Sequence, residues 1–355
     1  MPRPPPGPRL GHASMTPMSP VRRLAVTTAT PHDPAIAEAA RVLRAGGLVA
    51  FPTETVYGLG ANALDAAAVR SIFAAKGRPA SNPLIVHAAD ADSLRRLVGT
   101  WPPEAARLAE ACWPGPLTLV LPRAQVLPPC VSAGLTAVGV RVPAHPVALA
   151  LLQAAGVPVA APSANPYMGL SPTTADHVAQ GLAGARQEVL LLDGGAAAVG
   201  LESTVLDLTS QPPRILRPGG TSAAALRALL GRVDGLVPGA PQGGLPSPGL
   251  AARHYAPRAT LRVVAGGEGL RQAALQLERA GARLAVLGLT PAPADHPAWR
   301  WVAMPGDALS YGQHLYAALH DLDAEGATDV LVEAPPAEEA WAAVADRLQR
   351  AASPR

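Results

Sequence analysis

Lysine is almost missing from this chain: of its 29 Lys and Arg residues, all are arginine except Lys76. Asparagine is nearly as rare, standing only at Asn62, Asn82 and Asn165. Aromatic residues make up 3% of the 355, so the core has to be built from Ala, Val and Leu, a mixture that suits strands packed under helices. Charged residues are only 15%, and a formal net charge of +3 is too small to argue for nucleic-acid binding by itself. It leaves room for a local basic cleft. The two cysteines, Cys112 and Cys130, match neither a metal-ligand spacing nor a disulfide framework. A reduced, cytoplasmic protein is expected on that ground. No uninterrupted apolar stretch approaches the roughly 20 residues of a membrane span. The opening "MPRPPPGPRLGHASMTPMSP" has no apolar segment for a secretory signal, and its prolines forbid an amphipathic transit helix.

What the chain does have is 40 Pro and 34 Gly, set between apolar runs rather than in one tract. They read as the turns of a compact protein. Residues 1–20 are expected to be a disordered leader outside any domain, or an upstream extension, since Met15 and Met18 both precede the first folded-looking segment. From residue 21, strand-like and helix-like segments alternate. "PHDPAIAEAARVLRAGG" reads as a helix with Asp33 as N-cap, Pro34 in the first turn and Gly46 at its end. Strands are expected at "LVAFPT", "PLIVH", "LTLVLP", "VGVRVP", "VPVAAPS", "EVLLLDGG", "STVLDLT" and "RILRPGG", with helices over 90–99, 103–112, 146–155, 174–182 and 221–231. This predicts an α/β domain over 21–234 with a twisted, mixed sheet flanked by helices. Residues 235–258, rich in Pro and Gly, form a linker that ends on the oddly specific "SPGLAARHYAP". The alternation restarts over 259–355 as a small α/β domain.

Generic nucleotide motifs are poor guides here. No phosphate-loop pattern with a Lys-Ser/Thr ending occurs, and "GLGANA" (58–63) matches a dinucleotide fingerprint without a clean preceding strand or a following acidic residue. More telling are four loops at strand ends, dense in small polar and charged groups. They are "FPTETVYG" with Thr53, Glu54, Thr55 and Tyr57; "KGRPASNP" with Lys76, Arg78 and Asn82; "APSANP" with Ser163 and Asn165; and "GLESTV" with Glu202, Ser203 and Thr204. Open α/β sheets bind ligands where such loops converge, although each alone has the composition of a turn. Lys76 is a point charge suited to phosphate, and Arg78 a planar fork that grips two oxygens, each contact contributing about 1.5–3 kcal/mol. The plainer account is a helix C-terminus where cations complement the dipole. The heavy Ala, Arg, Pro and Gly usage fits GC-rich coding, which would turn an indifferent lysine into arginine; a lysine that persists points to a task arginine cannot do.

In order, "FPTETVYGLGANA", "KGRPASNPLIVH", "WPGPLTLVLP", "VGVRVPAHP", "PVAAPSANPYMGLSPTTADHV", "LESTVLDLT" and "ILRPGG" resemble the YrdC/Sua5 family of threonylcarbamoyl-AMP synthases. The resemblance covers about residues 30–220, and the linker and trailing domain resemble the longer Sua5 branch. It implies a YrdC-like open concave cavity, a small Rossmann-like C-terminal domain, and a nucleotidyltransferase. That enzyme makes threonylcarbamoyl-AMP and pyrophosphate from L-threonine, bicarbonate and ATP, with Mg2+ bound through the ATP and no protein metal site. A downstream threonylcarbamoyl transferase complex then forms N6-threonylcarbamoyladenosine (t6A) in tRNAs reading codons that start with A, so tRNA is met only indirectly. Carried over by motif, the catalytic set is Lys76, Arg78, Ser163 and Asn165, with Lys76 against the phosphates. Thr55, His87, Arg141 and Ser203 would line the L-threonine pocket. Arg78, Asn82, Thr118, Ser163, Arg217 and Tyr255 would hold ATP, Tyr255 folding back from the linker. A bidentate arginine suits a free carboxylate, and His87 is the only titrating residue that offers itself as a base or as a pocket wall.

Two other readings stand beside this one. A carbamoyl-transfer module of hydrogenase maturation would bring acylphosphatase and zinc-finger segments, for which this chain has neither the length nor the cysteines. A non-enzymatic double-stranded RNA-binding or ribosome-maturation module would spread its cations over an open face.

Overall fold

The computed structural model describes residues 20–235, 253–294, 296 and 299–354. Residues 1–19 of the leader expected over 1–20, and residues 236–252 of the linker expected over 235–258, lie outside the described residues.

The first domain is built on a ten-stranded mixed sheet. Its strands are β1 (Val21–Ala25), β2 (Leu48–Phe51), β3 (Gly58–Asn62), β4 (Ile85–His87), β5 (Leu117–Pro122), β6 (Ala137–Arg141), β7 (Val159–Ala160), β8 (Val189–Asp193), β9 (Thr204–Asp207) and β10 (Arg214–Arg217). Across the sheet they run β1-β8-β2-β3-β7-β4-β6-β5-β9-β10. β1, β8 and β2 pair in parallel, as do β4 with β6 and β5 with β9. The remaining pairs are antiparallel.

Strand alternation sends residues to two apolar layers. In β2, Leu48 and Ala50 join a layer with Ile72 and Phe73 of α2 (Ala66–Lys76). Val49 and Phe51 face the opposite way, onto Ile36 and Leu43 of α1 (Pro34–Arg44) and Leu151 of α5 (Pro146–Ala155). These helices begin as their sequence predicts. The Asp33 carboxylate accepts from the Ala35 and Ile36 amides, a cap whose loss typically costs about 1 kcal/mol. α2 ends at Gly77, whose φ of 60° suits a residue without a side chain. Completing the layers are α3 (Ala91–Arg95), α4 (Pro103–Cys112), α6 (Ala175–Gly181) and α7 (Ala223–Leu230).

"GLGANA" is a strand here and not a phosphate-binding turn. Gly60 faces Val49 across the β2·β3 ladder. A Cβ there would lie 2.7 Å from Val159 Cγ1 and 2.8 Å from Phe51 Cε1. The glycines of this segment thus admit the Phe51 ring into the sheet rather than a dinucleotide.

The second domain is a four-stranded, all-parallel sheet, β11 (Thr260–Val264), β12 (Leu284–Gly288), β13 (Arg300–Ala303) and β14 (Asp329–Glu333), in the order β11-β14-β12-β13. Leu284, Val286 and Leu331 pack on α8 (Glu268–Arg279). Ala285, Leu287, Val330 and Val332 face α9 (Ala308–Ala324) and α10 (Ala342–Ala352) on the other side. This second core does not stop at the domain edge, because Val56, Leu170 and Leu201 of the first domain belong to it.

Candidate active site

The strand-end loops that stood out in the sequence converge on one side of the large sheet. They line a cavity whose walls include Thr55, Arg78, His87, Arg141, Ser163, Ser203, Arg217 and Tyr255.

Arg141 closes β6, and each of its three guanidinium nitrogens has a partner. It donates to the Gly115 carbonyl at 3.0 Å, to Thr55 Oγ1 at 3.0 Å and to Glu54 Oε1 at 2.5 Å. Glu54 in turn accepts from the Ala144 amide at 2.9 Å. Thr55 is held from behind by Thr53, whose Oγ1 lies 2.8 Å from its hydroxyl. Beside this wall, His87 is buried, and its Nδ1 has no hydrogen-bond partner among the described residues. Burial and then the Arg141 charge push its pKa down to about 3, so the imidazole is neutral at physiological pH and offers hydrogen bonding without charge.

On the opposite wall, Arg217 donates to the Ser203 carbonyl at 2.9 Å and to its hydroxyl at 3.2 Å. The Ser203 hydroxyl also meets Thr118 Oγ1 at 2.8 Å. Thr118 therefore acts on the cavity through Ser203. Arg78 donates to the Pro83 carbonyl at 2.9 Å and to that of Asn82 at 3.3 Å, and among the described residues it has no carboxylate partner. Burial lowers its pKa to about 10, which still leaves it charged. Asn82 is buried with neither side-chain polar atom bonded.

Lys76 and Asn165 stand behind the lining. The Lys76 ammonium donates to the Ser163 carbonyl at 2.6 Å, to the Asn165 carbonyl, and to Asn165 Oδ1 at 3.4 Å. Asn165 Nδ2 donates to the carbonyls of Pro166 and Gly169. The lysine expected against a ligand's phosphates is thus spent on the backbone of the Ser163–Asn165 turn. Burial, with the Arg78 charge beside it, holds its pKa well below the ordinary lysine value.

The cavity roof comes from the linker. Tyr255, at φ 59°, is fully buried and directs its hydroxyl to Arg217 at 3.5 Å. His254 also lines the cavity, its ring 4.1 Å from that of Tyr255. Its pKa falls to about 3, mainly through burial. The floor near Ser203 carries Glu202, which accepts from Ser171 at 2.5 Å and from Arg347 at 2.7 Å. Burial would raise its pKa, but the Arg347 and Arg217 charges hold it down to about 2. Glu54 and Glu202 were visible in the motif loops without a role. Arg347 and Tyr316, from the second domain, had no local signal at all, since each lies in an ordinary amphipathic helix.

Fold and site together define an α/β protein whose buried guanidinium groups surround a concave pocket roofed by a strap. The Sua5/YciO/YrdC family model, described as telomere recombination, matches residues 41–219. A second model, described as threonylcarbamoyl-AMP synthase, C-terminal domain, matches 221–353. The chain belongs to this Sua5/YrdC family. It is 42% identical to the threonylcarbamoyl-AMP synthase of Pyrococcus abyssi over 89% of this chain and 94% of that one. To the Bacillus subtilis protein of the same name it is 41% identical, over 91% and 94%. Its structure is similar to the crystal structure of P. abyssi Sua5 complexed with L-threonine, with a TM-score of 0.85, 39% identity and coverage of 94% and 97%.

Proposed function

We propose that this chain is a threonylcarbamoyl-AMP synthase. It joins L-threonine, bicarbonate and ATP into threonylcarbamoyl-AMP, releases pyrophosphate, and so supplies t6A formation on tRNA. The observation that carries this reading is that one cavity is lined by Thr55, His87, Arg141 and Ser203 together with Arg78, Ser163, Arg217 and Tyr255.

The chemistry fits the groups present. The threonine carboxylate would meet the Arg141 wall, and its ammonium and hydroxyl the oxygens of Thr55 and Ser203. Once deprotonated, the amine attacks the carbon of bicarbonate, or of CO2 derived from it. An N–C bond forms, water is lost overall, and a carbamate results. A carbamate oxygen then attacks the α-phosphorus of ATP, and the bond to the pyrophosphate oxygen breaks. Charge builds on the phosphoryl oxygens in this step. Arg78 and Arg217, both in the lining, would neutralise it, so the protein would supply positioning and electrostatics rather than a proton shuttle. A His87 ring with a pKa near 3 is too weak a base to serve as one.

Mg2+ would enter as part of the substrate, on the nucleotide phosphates. Among the described residues no group of three or more His, Cys, Asp or Glu forms a ligand set, and Glu202 in the lining and Glu54 behind it are each paired with an arginine. A cytoplasmic setting and hand-over of the product to a transferase complex belong to the same proposal. No helix among the described residues is long and apolar enough to cross a membrane.

Burial of Arg78, Arg141 and Arg217, none more than 6% exposed, supports a small anionic ligand over the open cationic face an RNA binder needs. Incubation of the purified protein with ATP, L-threonine and bicarbonate should release pyrophosphate only when threonine is present. Threonine-independent release, or none, would sink the assignment.

A further inference from the structure

Among its inward-facing residues, α10 carries Arg347, which is 1% exposed and touches two residues that line the cavity, Glu202 and Tyr255, and a third beside it, Pro218. Its Nε donates to Glu202 at 2.7 Å, and one terminal nitrogen donates to the Pro218 carbonyl at 3.0 Å. Its guanidinium carbon lies 4.9 Å from the centre of the Tyr255 ring. The other terminal nitrogen is held by Asp346 at 2.5 Å, which fixes the plane of the group. Glu202 and Pro218 immediately adjoin Ser203 and Arg217, and Tyr255 roofs both. An arginine can serve all three partners because its donors diverge in one plane while its faces stay free for a ring.

The surrounding contacts act in the same direction. Tyr316 of α9 donates to Glu202 at 3.2 Å. A Cβ added to Gly200 would lie 2.6 Å from the Gln313 Cα, so α9 and the Gly200–Ser203 segment touch backbone to backbone. The His254 amide donates to the Arg350 carbonyl of α10, and the Ala256 amide to Met168 of the first domain. Tyr255 is thereby pinned on both sides in a left-handed conformation that a tyrosine seldom adopts unaided.

We propose that Arg347 is a positioning residue of the active site, through which the second domain sets Tyr255 and the Glu202–Ser203 wall in their closed arrangement. The second domain is then part of the working site and not a passive appendage. The effect on turnover rests on the synthase reading above; the effect on the strap does not.

The test uses the full chain with Arg347→Met. Hydrogen–deuterium exchange should quicken about ten-fold or more at the His254 and Ala256 amides and stay unchanged in α8 and β12, remote from the contact. Threonine-dependent pyrophosphate release should show an ATP KM raised by about ten-fold, and calorimetric L-threonine affinity should weaken by about three-fold or more, because Ser203 belongs to the wall that Arg347 holds. Native exchange at the two amides would overturn the proposal. Faster exchange in the variant, with no threonine-dependent turnover in the parent, would leave the positioning role standing and remove the synthase reading. If the lone Glu202 charge prevents folding, Arg347→Met/Glu202→Gln removes both charges, and native exchange in that folded variant overturns the proposal equally.

Discussion

The Lys76 ammonium donates to the Ser163 carbonyl oxygen at 2.6 Å, joining the end of α2 to a turn 87 residues away. The Asn165 carbonyl accepts from the same nitrogen, so one compact cation gathers two carbonyls of the Ser-Ala-Asn turn. That turn presents Ser163 to the cavity.

A planar guanidinium is longer and spreads its donors over three nitrogens, so it does not fit the space in which the single Lys76 nitrogen meets both carbonyls. Lys76→Ala should therefore lose on the order of 10- to 100-fold in threonine-dependent pyrophosphate release, the scale of a roughly 1 Å misplacement. Lys76→Arg should also be impaired, with both variants folded by circular dichroism. Full activity in Lys76→Arg would mean that arginine can hold the turn and that the lysine has no special task.

Arg141, which lines the same cavity, forms a buried ion pair with Glu54, their side chains 4% and 10% exposed. Removing only the cation strands a buried carboxylate, so Arg141→Met should destabilise the fold by about 3–5 kcal/mol in denaturant titrations. Arg141→Met/Glu54→Gln should recover most of that stability and none of the L-threonine binding. Recovery of binding in the double variant would remove Arg141 from the threonine site.

His87 and His254 are buried as neutral rings with pKa values of about 3, against an ordinary 6.5. Below pH 6.5 the unfolded chain takes up protons that the folded chain refuses, so stability falls as pH drops from 7 toward 3. Each ring should cost about 2 kcal/mol at pH 5 relative to pH 7. Thermal unfolding followed across that range should show the loss, and His87→Gln should flatten the slope by one histidine's share. An unchanged slope would mean that His87 is protonated in the folded state.

Gly60 sits where a methyl group would meet both Phe51 and Val159 under 3 Å. Gly60→Ala is expected to destabilise by about 1–3 kcal/mol through overpacking, despite the favourable effect of removing a glycine from the unfolded chain. A denaturant midpoint equal to the parent's would show that Phe51 can turn aside.

The helices were legible because their signals are local. Pro103–Cys112 and Pro146–Ala155 begin and end where proline, apolar spacing and the following residues say they should. β3 was not legible: in "GLGAN" the glycines mimic a phosphate turn, and the reason for them, the Phe51 ring, lies on a neighbouring strand. Within the site, the four polar loops announced themselves by composition, and eight of the residues carried over from the family motifs line one cavity. Lys76 and Thr118 stand behind that lining and touch it through Ser163 and Ser203, while Asn82 and Asn165 do not line it.

By itself, then, the sequence determined the α/β alternation, the two-domain order and the motif loops, because capping, periodicity and short spacing are properties of a few consecutive residues. Only the tertiary structure decided what each charge does. Lys76 serves a turn, Glu54 braces Arg141, and Arg347 crosses from the second domain to Glu202. Those roles depend on which distant groups share a desolvated space, where an unpaired charge costs most and every donor must find its acceptor. No stretch of neighbouring residues encodes that.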